Sequence, residues 1–228
     1  LVGAPDPETA RRLTPVATAG DEWQASPWFR SLDSADGATW TFQLCSRPEA
    51  APTGWNVAGH DTASWTEVAV PGNWTLQGFD RPHYTNVRMP FAGMPPTVPD
   101  ENPTGLYRTT FHVPSSWGGR RSILHLGGAE SVVDVWVDGR HVGTAKDSRL
   151  PSEFDLTAMV EPGRDHLLAC RVVRWSDASY IEDQDHWWMA GLHRSVHLRS
   201  TGPVWIEDVQ IVSGLTGLDR VDAGAKAP

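Results

Sequence analysis

The sequence predicts an all-β fold, a two-sheet sandwich of jelly-roll type, and three observations carry that expectation. Short apolar/polar alternations recur along the chain, turn signals punctuate them every ~8–12 residues, and almost no segment shows helical periodicity. The chain has 228 residues, with 39% hydrophobic and 21% charged residues. That suits one large β domain with its own core, or one domain plus the start of another.

Residues 1–35 are rich in Pro, Ala, Asp and Glu and read as an extended arm, with a short helical turn near Ala17–Ser26 and Trp23, Trp28 and Phe29 as anchors. From residue 36 to 202 the pattern is that of the sandwich. Trp40, Phe42 and Leu44 alternate with Thr39, Thr41 and Gln43, which marks a strand. A proline-rich loop follows through Pro52, then a strand over Trp65–Val70 and a turn at Pro71-Gly72-Asn73-Trp74. Residues 80–104 hold six prolines, which remove backbone donors and exclude a central strand or a helix interior. A loop of that length is usually functional, and its aromatics Tyr84 and Phe91 argue for order.

Strands are then expected at Leu106–Val113, with Tyr107, Thr109 and Phe111 on one side, and at Arg121–Leu126 and Ser131–Val137. Asp138-Gly139 is a two-residue hairpin signal, because both turn positions need positive φ. Phe154-Asp155-Leu156 reads as the start of a helical turn that Pro162-Gly163 stops. Strands follow at Leu167–Val173, Arg194–Leu198 and Val204–Ile211. Residues 203–228 read as a linker and the truncated start of a further domain, and the opening LVGAPDPETA, without Met or an apolar signal core, as a cut fragment of a longer protein.

Charge and composition narrow the function. Lys plus Arg is 19 and Asp plus Glu 28, a net charge of −9, so nucleic acid and anionic membranes have no electrostatic attraction to this chain. No window approaches the ~20 apolar residues of a membrane span. Cys45 and Cys170 lie in apolar runs and are expected as buried free thiols, which points to a reducing compartment and a cytoplasmic protein. Twelve tryptophans exceed what one core of this size needs, so several are expected at a concave or partner-facing surface.

The run RWSDASYIEDQDHWWMAG, residues 174–191, gathers four acids, three tryptophans, a tyrosine and a histidine. It has little use as core; carboxylates beside flat aromatic faces suit a polyhydroxylated ring. Asp177, Glu182, Asp183 and Asp185 are candidates for glycosidic acid/base work, though no catalytic framework surrounds them, and for a cation site shared with ligands from elsewhere. His186 beside them lacks a metal-binding companion at short spacing. In KDSRLPSEFDL the structural reading is a turn in which Arg149 pairs with Glu153 or Asp155. Asn102-Pro103-Thr104-Gly105 reads as a turn with Gly105 freeing the backbone, and Asn86 as a turn residue or as an amide gripping vicinal hydroxyls.

Five motifs, PGNW (71–74), YTNVRMPF (84–91), VPDENPTGLYRTTF (98–111), KDSRLPSEFDL (146–156) and the 174–191 run, resemble the amino-terminal domain of glycoside hydrolase family 2, most closely that of the large bacterial β-galactosidases. The resemblance spans about residues 40–212. It implies a galactose-binding-domain-like jelly roll, followed in the family by an immunoglobulin-like domain and a TIM barrel. The barrel bears the catalytic glutamates of a retaining mechanism and the Mg2+ ligands. The implied partners are thus a β-galactoside substrate and the barrel of the same polypeptide. The resemblance admits a homo-oligomeric parent.

By motif position Asn86 and Asp185 contribute to the galactose subsite, with Val87 lining it, and Asp185 is similar to the family residue that ligates sodium. This fragment alone is expected to be inactive. Two departures stand out: Trp188 replaces a common Arg, and Lys146 a neutral amide. The alternatives are a stand-alone carbohydrate-binding module, or the same domain of a β-glucuronidase or β-mannosidase.

Overall fold

The computed structural model describes residues 26–206 and 209–211. The expected helical turn near Ala17–Ser26, the anchor Trp23 and residues 212–228 lie outside or at the margin of them.

Fourteen strands form among these residues: β1 (Phe29–Ser31), β2 (Trp40–Cys45), β3 (Thr66–Val68), β4 (His83–Thr85), β5 (Thr104–His112), β6 (Arg121–Leu126), β7 (Ala129–Glu130), β8 (Val132–Val137), β9 (Arg140–Lys146), β10 (Ser152–Asp155), β11 (Asp165–Val173), β12 (His186–Trp188), β13 (Gly191–Leu192) and β14 (Val196–Thr201). Only short 3-10 turns interrupt them. Six strands make one sheet in the order β3-β2-β5-β11-β8-β9 and four make a second in the order β1-β14-β6-β10. The chain crosses repeatedly between the two: β5 to β6, β6 to β8, β9 to β10, β10 to β11, β11 to β14. This is an antiparallel jelly-roll sandwich, as alternation predicts.

Alternation fills the space between the sheets. Trp40 and Phe42 of β2, Tyr107 and Phe111 of β5, Leu168 and Val172 of β11 and Val133 and Val135 of β8 face Leu124 and Leu126 of β6 and Val196 and Leu198 of β14. The hairpin signal holds: Asp138 (φ 49°) and Gly139 (φ 79°) join β8 to β9. Both cysteines are buried and free.

Four expectations need correction. Phe154 opens no helix: β10 pairs antiparallel with β6, Phe154 opposite Leu124, because Phe154 must bury while Glu153 and Asp155 point outward. Gly105 is no turn residue. It lies within β5, and a Cβ there would stand 2.6 Å from the rings of Phe42 and Trp74, so glycine is required by their close approach. Residues 203–206 and 209–211 form no strand, and Val204, Ile206, Val209 and Ile211 are exposed, since no layer of described residues covers an apolar face there. Finally, Phe29–Ser31, within the stretch read as an arm, is the edge strand beside β14.

Leu106 and Arg108 are buried although they sit on the opposite side of β5 from Tyr107. The segment through residues 46–65 folds over that outer face, where Trp55 packs with Leu106, Ala169 and Cys45, flanked by Trp65 and Trp136. Six of the eleven tryptophans among the described residues are therefore core: Trp40, Trp74, Trp117 and Trp188 are fully enclosed and Trp55 and Trp175 nearly so. Among the described residues Trp28, Trp187 and Trp205 are exposed.

Candidate functional site

Two loops meet at one end of the sandwich, 80–104 and 174–191, and buried polar contacts fix them to each other. Asn102 receives the backbone N–H of Trp175 at 2.9 Å and donates to its carbonyl at 2.8 Å. Phe91 wedges between Trp175 (centroids 5.2 Å) and Tyr180 (5.5 Å), whose hydroxyl donates to the Thr97 carbonyl. Arg174, 2% exposed, pairs with Asp80 and donates to the Trp188 carbonyl. The front of the 174–191 run is thus core, contrary to the expectation that it has little use there, and Trp175 and Trp188 fold back onto the domain.

From this base rises a two-stranded ribbon. β4 and β12 pair antiparallel, His83 with Trp188, Tyr84 with Trp187 and Thr85 with His186. Each strand is only three residues long, so the proline-rich loop admits a strand where its prolines stop. Alternation divides the ribbon into two faces. Trp188 turns inward, buried, its indole N–H donating to Thr85 Oγ1 at 2.6 Å and its ring packed on Trp175 and His186. Tyr84 and Trp187 turn outward, half exposed, with ring centroids 5.5 Å apart.

Beyond the last pair both chains bend, at Asn86 and at Asp185, where the His186 backbone N–H reaches back to the Gln184 carbonyl at 2.9 Å, and the two side chains meet at the Tyr84 hydroxyl. Both residues are exposed. The Tyr84 hydroxyl donates to Asp185 Oδ1 at 2.6 Å, and the Asn86 amide acts on the same hydroxyl. The hydrogen bond to Asp185, then its charge, hold the Tyr84 phenol above its ordinary pKa. One ribbon face therefore carries a carboxylate, an amide, a phenol and an indole. Val87, next along, is 86% exposed and free to meet a ligand or a partner.

The four acids do not converge. Asp177 pairs with Lys146 Nζ at 2.5 Å, and that hydrogen bond lowers its pKa. Glu182 accepts from the Ser148 backbone N–H at 2.9 Å and from its hydroxyl. Asp183 keeps one buried oxygen without a partner among the described residues, and Asp185 faces Tyr84. Among the described residues no three His, Cys, Asp or Glu side chains gather for a metal ion. Asp185 fits as a single oxygen donor to a hard cation, with the remaining ligands to come from elsewhere. Arg149 pairs not with Glu153 or Asp155 but with the buried Glu130 at 3.2 Å, because Asp147 accepts the N–H groups of Arg149 and Leu150 and turns the chain back toward β7. Burial raises the Glu130 pKa against the pull of Arg149.

The profile of the family described as "Glycosyl hydrolases family 2, sugar binding domain" matches residues 29–202. The chain belongs to this family. Among curated relatives, the β-galactosidase of Psychromonas ingrahamii is 45% identical over 176 residues, covering 77% of this chain and 17% of the relative. That of Vibrio vulnificus YJ016 is 40% identical over 208 residues, covering 91% and 20%. The family 2 domain described here thus spans about a fifth of the length of such relatives. Among solved structures, Bacteroides uniformis β-glucuronidase aligns with a TM-score of 0.57 at 19% identity, covering 76% of this chain and 18% of that one. Ruminococcus gnavus β-glucuronidase aligns at 0.54 and 18%, covering 75% and 28%. These last two likenesses carry the fold alone.

Within the family 2 domain, the structure brings Asn86 and Asp185 together on one ribbon face. Sequence reasoning missed Tyr84 as a member of that face, and the strand period would have found it. Tyr84 and Asn86 are two residues apart, as are Asp185 and Trp187, so each pair shares a side once an extended ribbon is assumed. Arg174 gave no such signal, since its partner Asp80 lies 94 residues away.

Proposed function

We propose that this family 2 domain is the sugar-binding part of a cytoplasmic β-galactosidase that hydrolyses terminal β-D-galactosyl residues with retention. The bond-breaking barrel, with its magnesium, would lie on polypeptide beyond this chain. The observation that carries the reading is the end of the ribbon at which Asp185 and Asn86, both exposed, meet at the Tyr84 hydroxyl beside the Tyr84–Trp187 pair. The 40–45% identity to β-galactosidases supports the choice of sugar.

The chemistry of the two groups differs and is complementary. An ionised carboxylate only accepts hydrogen bonds, so Asp185 takes a sugar hydroxyl as donor; the Asn86 amide both donates and accepts and can span neighbouring hydroxyls. Val87 would line the same subsite. Asp185 would also hold a sodium ion together with oxygens from the rest of the polypeptide. A carboxylate on this face repels the carboxylate of a glucuronide, which favours a neutral galactoside over the β-glucuronidase alternative.

A charge-assisted hydrogen bond is worth ~1.5–3 kcal/mol, so Asp185→Ala in the full-length enzyme is expected to lower kcat/KM about 10- to 100-fold. An unchanged kcat/KM overturns the assignment. Calorimetric titration of the present chain with galactose separates this reading from a stand-alone module. No heat at millimolar sugar is expected, because an exposed ribbon offers only one wall of a pocket.

A further inference from the structure

We propose that Tyr84 is a positioning residue of this site, its phenol clamping one oxygen of Asp185 so that the carboxylate is presented in a fixed orientation, with Asn86, to the sugar. The inference rests on the galactose-subsite reading above and adds to it a residue to which the motif reading gave no role in the site.

The geometry argues for it step by step. Asp185 is exposed at the end of a three-residue strand, beyond the last ladder pair, where nothing in the backbone restrains its side chain. A free carboxylate there samples several rotamers, and a ligand that needs one of them bears the ordering cost on binding. The Tyr84 hydroxyl removes that cost in advance with a 2.6 Å hydrogen bond. The bond has one polarity: a carboxylate cannot donate, so the phenol must. The phenol itself is held on two sides, by the Trp187 ring at 5.5 Å and by the Asn86 amide. A purely structural role fits poorly, since Tyr84 is 52% exposed and lies outside the core.

The test is a double-mutant cycle in the full-length enzyme with an aryl β-galactoside. Tyr84→Phe removes one hydroxyl and keeps the ring, so folding is preserved, which thermal melting checks. It is expected to lower kcat/KM about 5- to 20-fold, the loss of one hydrogen bond to a charged group, mostly as a rise in KM with kcat held within about twofold. In an Asp185→Ala background the same change is expected to have no further effect, because the clamp then has nothing to hold. Losses that simply multiply in the double variant overturn the inference. So does a Tyr84→Phe enzyme within about twofold of wild type while Asp185→Ala is strongly impaired, and that result leaves the subsite reading intact. A neutral Asp185→Ala instead overturns the subsite reading itself.

Discussion

The six-stranded sheet and the β4–β12 ribbon are built from the same extended backbone, yet they divide the labour of the domain. β5 and β11 run nine residues each, pair along their whole length and are covered on both sides, by the inner core and by the Trp55 cluster. The ribbon pairs over three residues, buries one face through Trp188 and leaves the other to solvent. The sheet has apolar area to stabilise itself; the ribbon borrows its order from Arg174, Asn102 and Trp188 at its base. Polar groups that must meet a ligand can stand only on such a lightly covered element.

The largest expected effect falls where the two regions join. Arg174→Met leaves the Asp80 carboxylate and the Trp188 carbonyl without their donor, and should cost about 3 kcal/mol in urea unfolding. Adding Asp80→Asn should return part of that loss; a neutral Arg174→Met would show that the ribbon does not depend on its base. In the sheet, Gly105→Ala drives a methyl into the Phe42 and Trp74 rings at 2.6 Å, and should cost about 2 kcal/mol by the same measurement.

A smaller effect depends on pH. On the outer face of the four-stranded sheet His197 stacks on His125 with centroids 4.4 Å apart, and burial, then the neighbouring His125, lowers its pKa from 6.5 to about 4. Arg199, Glu153 and Phe29 complete its surroundings. A depressed pKa contributes stability that is present above 6.5 and lost as the pH falls toward 4. Melting temperature should decline across that window, and His197→Gln should flatten the decline.

The ribbon's own contacts should hardly move stability. Ultraviolet titration of the three tyrosines should show Tyr84 ionising above the ordinary range, and Asp185→Asn should bring it back down. Lys146→Met, which breaks an exposed pair with Asp177, should leave the melting temperature unchanged.

The same contrast sets what could be read in the sequence. β2, β6 and the Asp138-Gly139 hairpin are written in local alternation and turn chemistry, and they appear where expected. The helical reading of Phe154 fails because a three-residue apolar/acidic pattern suits either period, and only pairing with β6 decides it. Leu106 and Arg108 are buried by a flap whose folding-over no local pattern encodes. The ribbon was hidden twice, by six flanking prolines and by a partner strand a hundred residues away. What the motifs did supply were Asn86 and Asp185, whose chemistry is legible in residue type even when their meeting is not.

Because Asn86 and Asp185 ride on adjacent threads of one tape, their mutual spacing is set by the tape and not by its tilt. Swinging the whole appendage about its anchored root would carry both prongs as a fork is carried by its handle. A neighbour seated against the handle would then set how far the fork reaches, leaving the gap between its tines as it is.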